Sequence, residues 1–188
     1  MKNKKTQTIY FLSNSTIGLR VLNSEDIKGD YKNWLNDSVV NQNNTHHRFP
    51  ETLSNLILFI DKNTNSRESL HLGVFMISDN KHVGNISLQR INWIDSSAEI
   101  AFLLGESKYK GKGVMFSAAK LLINHAFYSL GIRRISCGTL ESNIGMIRLA
   151  EKLGMMNEGC RRKAVFKQGT YLDILNFGLL HTEWRLRE

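Results

Sequence analysis

Along this chain the spacing of apolar residues switches between two periods, and the switches mark out the elements. Residues 9–21 alternate apolar with polar positions, as a strand or hairpin does. Asn23 or Ser24 can then cap a helix that carries Ile27, Tyr31, Trp34 and Leu35 on one face. A second helix follows Thr52, because Leu53, Leu56, Ile57 and Ile60 recur at helical spacing. Residues 70–77, 82–94 and 98–104 are rich in β-branched and aromatic residues and are separated by Asp79-Asn80 and Asp95-Ser96-Ser97, which predicts an antiparallel meander. The helical period returns over 114–130, with Ala118, Leu121, Leu122 and Phe127 inward and Gly131 as the stop. A strand over 134–139, a helix over 143–153 ended by Gly154, and strands over 158–165 and 171–180 complete the chain. The pattern predicts an α/β (α+β) domain with about seven strands and about four helices.

Composition narrows the classes. The chain has 188 residues, 41% of them hydrophobic and 22% charged, which is ordinary for a globular domain with a real core. One domain over 1–188, with its core over about 17–185, is the expectation, since the chain shows neither repeat nor linker. No apolar run approaches the roughly 18 residues that cross a bilayer. The basic start, Met1-Lys2-Asn3-Lys4-Lys5, is followed by polar residues rather than the apolar stretch of a secretory signal, so a cytoplasmic protein with no membrane role is expected. Cys137 and Cys160 have no metal-like or redox-motif spacing and read as reduced thiols; no metal site is expected. The net charge of +8 calls for a phosphate-bearing or otherwise anionic partner. The basic residues are scattered in short groups without interleaved aromatics, so local phosphate contacts are expected rather than nucleic-acid binding.

The most informative segment is Lys110-Gly111-Lys112-Gly113-Val114, between a predicted strand and a predicted helix. Two glycines permit close backbone approach, and a helix N-terminus offers free N–H groups and a positive dipole end to phosphate. The spacing is neither that of a Walker loop nor of a dinucleotide fingerprint, and a plain turn remains the alternative. Read with the rest of the chain, this segment resembles the cofactor motif of the GNAT acyltransferases, with Lys110, Gly113 and Met115 in its places and Met115 replacing a small residue. A second GNAT signature is matched by Asn143, Leu149, Glu151, Lys152 and Gly154, with Met146, Ala150 and Met155 substituting. Glu158-Gly159, Arg161-Arg162, the Gly169-to-Asp173 hairpin and Glu183-Trp184 extend the likeness over most of residues 17–185. The branch is similar to that of ribosomal-protein N-terminal and amino-sugar acetyltransferases.

The resemblance implies a mixed sheet splayed at the cofactor site and acetyl-CoA as co-substrate. Its pantetheine would pair with Phe102, Leu103 and Leu104, and its diphosphate would rest on Gly111, Lys112, Gly113, Val114 and Met115, beside Lys110, Asn143 and Lys152. The N–H of Leu103 is the implied oxyanion donor. Glu99, flanked by Ala98 and Ile100, is the candidate general base; a half-buried carboxylate gains proton affinity, and a structural ion pair is its alternative role. The tyrosine acid of many GNAT enzymes falls on Ala150, leaving that role vacant, which a thiolate leaving group tolerates. Asn143 either caps its helix or holds cofactor or water, and Ser142 is a neighbouring hydroxyl. His46, His47 and Arg48 lie where such enzymes shape the acceptor pocket, though adjacent histidines make a poor metal pair. Trp34 and Trp93 either stack on the acceptor or pack in the core, and Asp173 either positions the acceptor or serves its hairpin. The expected reaction is acetyl transfer to a primary amine, of an amino sugar or a nucleotide-linked amino sugar. A protein N-terminus is the alternative, and a non-catalytic acyl-CoA or nucleic-acid module the alternative of another class. A homodimer is compatible with the pattern.

Overall fold

The computed structural model describes residues 8–44 and 48–185. Among them lies an eight-stranded sheet: β1 (Leu12–Ser13), β2 (Ile17–Arg20), β3 (Leu70–Met76), β4 (Lys81–Asn92), β5 (Ser97–Leu104), β6 (Arg134–Leu140), β7 (Met156–Lys167) and β8 (Thr170–Leu180), in the order β1-β2-β3-β4-β5-β6-β8-β7. The extra strand relative to expectation arises because residues 9–21 form a hairpin whose first strand is two residues long.

One end of the sheet is built by meander and the other by crossovers. β5 and β6 run parallel and pair only from Ser97–Arg134 to Glu99–Ser136, after which they diverge. The connection between them is the helix α4 (Val114–Tyr128), which lays Ala118, Ala119, Leu122, Ile123 and Ala126 on the sheet. Its alanines let the helix approach Leu72, Val74, Ile86, Leu88, Ala98 and Ile100 closely, so this face is the main core. Helix α5 (Ile144–Leu153) adds Ala150 and Leu153 to it, and Gly154 ends α5 at φ +80°.

The opposite face is covered by the early helices: α1 (Ser24–Asp26), α2 (Lys32–Asn36) and α3 (Leu53–Thr64). Asn23 and Asp26 form a reciprocal capping box on α1. The single predicted helix is interrupted by a π-turn over Ile27–Tyr31, where Gly29 leaves helical dihedrals (φ −80°, ψ −154°). Even so, Ile27, Tyr31 and Trp34 stay on one buried face and join Leu22, Leu56 and Phe75 in a second core. On α3 the predicted stripe is rotated: Leu56 is buried and Ile60 half-buried, whereas Leu53 and Ile57 face outward. The inward face of α3 is completed by Phe59 and Asn63, which border a cavity rather than packed core. A terminal helix, α6 (His181–Arg185), was not foreseen; its Trp184 reaches back to bond Asn124 on α4. Among the described residues no helix is long and apolar enough to cross a membrane.

Candidate active site

The parting of β5 from β6 exposes backbone. Register with β4 runs without a shift from Gln89–Glu99 to Gly84–Leu104, and Gly105 N–H donates to Val83 O at 3.1 Å. Antiparallel alternation therefore turns the N–H of Leu103 toward β4 and those of Phe102 and Leu104 toward the open edge, beyond the last β5–β6 pair. The expected oxyanion donor is thus corrected: Leu103 is committed within the sheet, and Phe102 and Leu104 carry the amides that an extended ligand can use.

At the end of this opening, Gly111 and Gly113 adopt φ +75° and +77°. A Cβ built on either would meet no atom within 4 Å, so the conformation, and not crowding by the protein, favours glycine. Gly113 is the N-cap of α4 and supplies no side-chain cap. The first ladder bond is Ser117 N–H to Gly113 O, which leaves the amides of Val114, Met115 and Phe116 without intrahelical partners. Lys110 and Lys112 are exposed beside this cradle, and Lys152 Nζ lies 4.4 Å from the Phe116 ring centre. Met115, the departure from the family pattern, packs against the main core and so leaves the cradle clear. An uncapped helix start, two left-handed glycines and flanking cations fit the diphosphate of a coenzyme. Asn143 caps α5 through its side chain, accepting from Met146 N–H at 3.2 Å, and Ser142 is exposed in the turn before it. Ala150 is fully buried in the core, so no acid can act from that position.

On the α3 side of the sheet lies a cavity of about 540 Å³. Its floor includes His71, Ser87 and Ala101, a row across β3, β4 and β5, and it reaches Phe102 and Leu103 on the strand with the open edge. Tyr31, Leu35, Leu56, Phe59 and Ile60 supply apolar walls; Asn63, Thr64, Ser69, Asn85 and Gln89 supply amides and hydroxyls. Burial pushes the His71 imidazole below its ordinary pKa, which keeps it neutral at pH 7. Burial raises the Tyr31 phenol to about 12, with Glu51 adding to the effect, so it stays a neutral donor. Glu99 lies opposite Gln89, a residue of the cavity lining, in the β4–β5 ladder. The apolar flanks predicted a carboxylate in apolar surroundings, but its side chain is one-third exposed and bonds the Arg90 guanidinium at 2.8 Å.

Several expected acceptor contacts lie elsewhere. Trp34 is buried against Gly105 and beside His82, 4.9 Å from that ring, so it is core and not a stacking surface. Trp93 is half-exposed, its indole donating to Arg67 O at 3.0 Å. Asp173 accepts from Lys163 N–H and the Cys160 thiol, serving the β7–β8 hairpin. Arg48 is exposed and donates to Phe166 O, beside a second cavity. His46 and His47 lie outside the described residues. Among those described, no cluster of His, Cys, Asp and Glu is grouped to hold a metal. Sequence reasoning missed His71, Ser87 and Gln89; the period-two pattern of β3 and β4 carries polar residues on one face, and that was the available signal.

The pattern of the acetyltransferase (GNAT) domain family matches residues 16–156. The chain belongs to this family. A probable N-acetyltransferase of Bacillus subtilis is 36% identical over 107 residues, 56% of this chain and 59% of the relative. A ribosomal-protein-serine acetyltransferase of Escherichia coli is 32% identical over 102 residues, 54% of this chain and 56% of the relative. The alignments thus span under three-fifths of the length of these relatives. The spermidine N-acetyltransferase of Vibrio cholerae, crystallised with CoA and spermine, superposes with a TM-score of 0.83 at 22% identity, over 92% of this chain and 99% of that one.

Proposed function

We propose that the protein transfers the acetyl group of acetyl-CoA to a primary amine seated in the α3-side cavity. The observation that carries this reading is the meeting of cradle, open strand edge and cavity at β5. The glycine cradle and Lys110, Lys112 and Lys152 hold the coenzyme, and the edge of Phe102 to Leu104 lines its arm. Glu99 removes a proton from the ammonium. The freed amine forms the C–N bond, the C–S bond breaks, and the second amine proton accounts for the thiol of released CoA. Asn143 and Ser142, in the turn that opens α5, are the proposed partners of the leaving thiolate, and no tyrosine acid is required.

For the acceptor we propose a small hydroxylated amine of amino-sugar type. Amide and hydroxyl groups dominate the polar lining, and Glu51 is the one carboxylate among the described residues that line the cavity. Arg90, the one lining cation among them, is engaged by Glu99, so the cavity offers no free cation to a nucleotide diphosphate, and a nucleotide-linked amino sugar is not the acceptor it favours. The kinship with a ribosomal-protein-serine acetyltransferase favours a second reading, a peptide N-terminus. The test combines thermal shift with thiol release. Acetyl-CoA should stabilise the protein by about 2.7 kcal/mol at a hundred times its Kd, with ATP well behind. Glucosamine or a serine-terminated peptide should then release CoA. A shift without turnover on any amine would leave a binding module; no shift at millimolar acetyl-CoA would sink the acetyltransferase reading.

A further inference from the structure

Arg90 occupies an unusual place. It lies within a bulge of β4, where the register with β5 slips between Gln89 and Asn92, and it is a non-glycine residue at φ +50°. L-residues adopt that conformation at a cost, and it persists only where neighbours enforce it. Here they do: Ile91 is buried and its N–H bonds Glu68 O at 2.9 Å, while Asn92 accepts from Ile94 and Asp95 N–H and donates to the Asp95 carboxylate. Without the bulge the strict alternation of the strand would turn residue 90 to the face opposite Gln89. With it, Gln89 and Arg90 both reach the cavity, and Arg90 Nη1 meets Glu99 at 2.8 Å.

We propose that Arg90 is a positioning and specificity-determining residue: its guanidinium holds Glu99 at the cavity rim and its charge makes the cavity select amines bearing a single positive charge. This rests on the acetyltransferase reading above and deepens it. The Arg90 side chain is 82% exposed, so the pair contributes little to stability. Electrostatics decide the acceptor class. An ammonium entering beside Glu99 meets a carboxylate already shared with a cation. A second positive charge on the same acceptor would then find Arg90 at close range, with Glu51 as the sole lining carboxylate among the described residues to compensate. Arg90 is largely solvated, so a second positive charge beside it is partly screened and changes selectivity by about threefold.

The experiment compares wild type with Arg90→Asn and Arg90→Lys, using glucosamine and spermidine as acceptors at saturating acetyl-CoA. Asn tolerates left-handed backbone and so removes the cation without adding strain. Wild type should prefer glucosamine in kcat/KM. Arg90→Asn should lower kcat for glucosamine about threefold through the released Glu99, and should shift the glucosamine-to-spermidine ratio toward spermidine by about threefold. Arg90→Lys should restore the ratio. Acetyl-CoA-dependent thermal shift, run on every variant, reports a folded coenzyme site. Parallel loss on both acceptors with an unchanged ratio would overturn the proposal and leave Arg90 a structural residue. A wild type that favours spermidine would overturn it without touching the acetyl-transfer reading. If wild type binds acetyl-CoA yet turns over neither amine nor peptide, both fall together. Should Arg90→Asn fail to fold, Arg90→Gly, which also accepts positive φ, takes its place.

Discussion

Glu99 and Gln are nearly isosteric, so Glu99→Gln removes the proposed proton acceptor while leaving strand pairing intact. A positioned general base contributes about 10²–10⁴ in rate, and kcat should fall by that order. Acetyl-CoA affinity should hold, because the coenzyme cradle is built from residues 110–116, away from the β4 partner of Glu99. Initial rates together with calorimetric titration check both parts, and full retention of kcat would remove Glu99 from the mechanism. His82 illustrates the opposite use of a titratable group. It is stacked on Phe75, with ring centres 4.8 Å apart, and its Nε2 lies 2.9 Å from Gly84 O and 2.8 Å from the Asn85 amide oxygen. Burial depresses its pKa, outweighing the hydrogen bond to Asn85 and the field of Asp26. His71 and His125 are depressed by burial as well. A histidine whose folded pKa is lowered takes up its proton in the unfolded chain first as pH falls. Stability from these groups is therefore complete above about pH 6.5, the ordinary value, and is lost progressively below it. Tm should decline between pH 7 and pH 5, and His82→Gln should flatten that decline while costing stability at pH 7. A Tm independent of pH across this window would show that the imidazoles are not buried as described.

Helix α4 was legible from sequence because its inward residues recur at helical spacing and its start is marked by two glycines. What the spacing could not show was that both glycines are left-handed and face open space. That geometry makes a prediction at the level of the element. Gly113→Ala places a Cβ on φ +77°, which should cost about 1 kcal/mol of stability, and it puts a methyl group at the helix start proposed to hold the diphosphate. Acetyl-CoA Kd should rise at least tenfold while the acceptor face is untouched. Isothermal titration measures it, and an unchanged Kd would move the diphosphate off this cradle. The early helices were legible in type but not in orientation. Ile27, Tyr31 and Trp34 were correctly placed on one face, yet the π-turn at Gly29 was hidden because the spacing of apolar residues continues through it. On α3, apolar residues on two adjacent faces, Leu53 and Ile57 against Leu56 and Ile60, gave periodicity no means of choosing which meets the sheet. Trp34 was open to two readings for a similar reason, and the close approach of Gly105 settles it as core. The bulge at Arg90 leaves no mark in the spacing, since nothing but the backbone dihedral and the slipped register betrays it.

At the scale of the whole molecule, the cavity proposed for the acceptor is bordered by a contact between segments more than a hundred residues apart, which no local pattern encodes. Lys167, at the tip of the β7–β8 hairpin, donates from Nζ to Asn41 O at 2.9 Å and to Asn44 O at 2.8 Å, and Arg48 donates to Phe166 O. The segment after α2 is thereby tied to the far edge of the sheet. Asn41 is itself fixed from within, its buried amide donating to Trp34 O and Asp37 O. Asn44 lines both the acceptor cavity and the smaller cavity under the hairpin tip, so the clasp forms a shared wall between them. β7 is exposed along nearly its whole length and draws its order from pairing with β8, so the Lys167 and Arg48 contacts are the ones among the described residues that tie its tip to the segment after α2. Segments with few buried apolar contacts open at low free-energy cost, and a charged donor shared by two carbonyls is the kind of contact that prevents it. Lys167→Met keeps most of the aliphatic stem and removes the ammonium. Amide hydrogen exchange should then accelerate in residues 38–44 and 165–170 together, with α4 and the main core unaffected. KM for the acceptor should rise several-fold, because a wall of its cavity is released, whereas KM for acetyl-CoA should stay the same, because the cradle lies on α4. Faster exchange in the hairpin alone would mean that the loop holds its own shape, and the cavity wall would then owe nothing to the clasp.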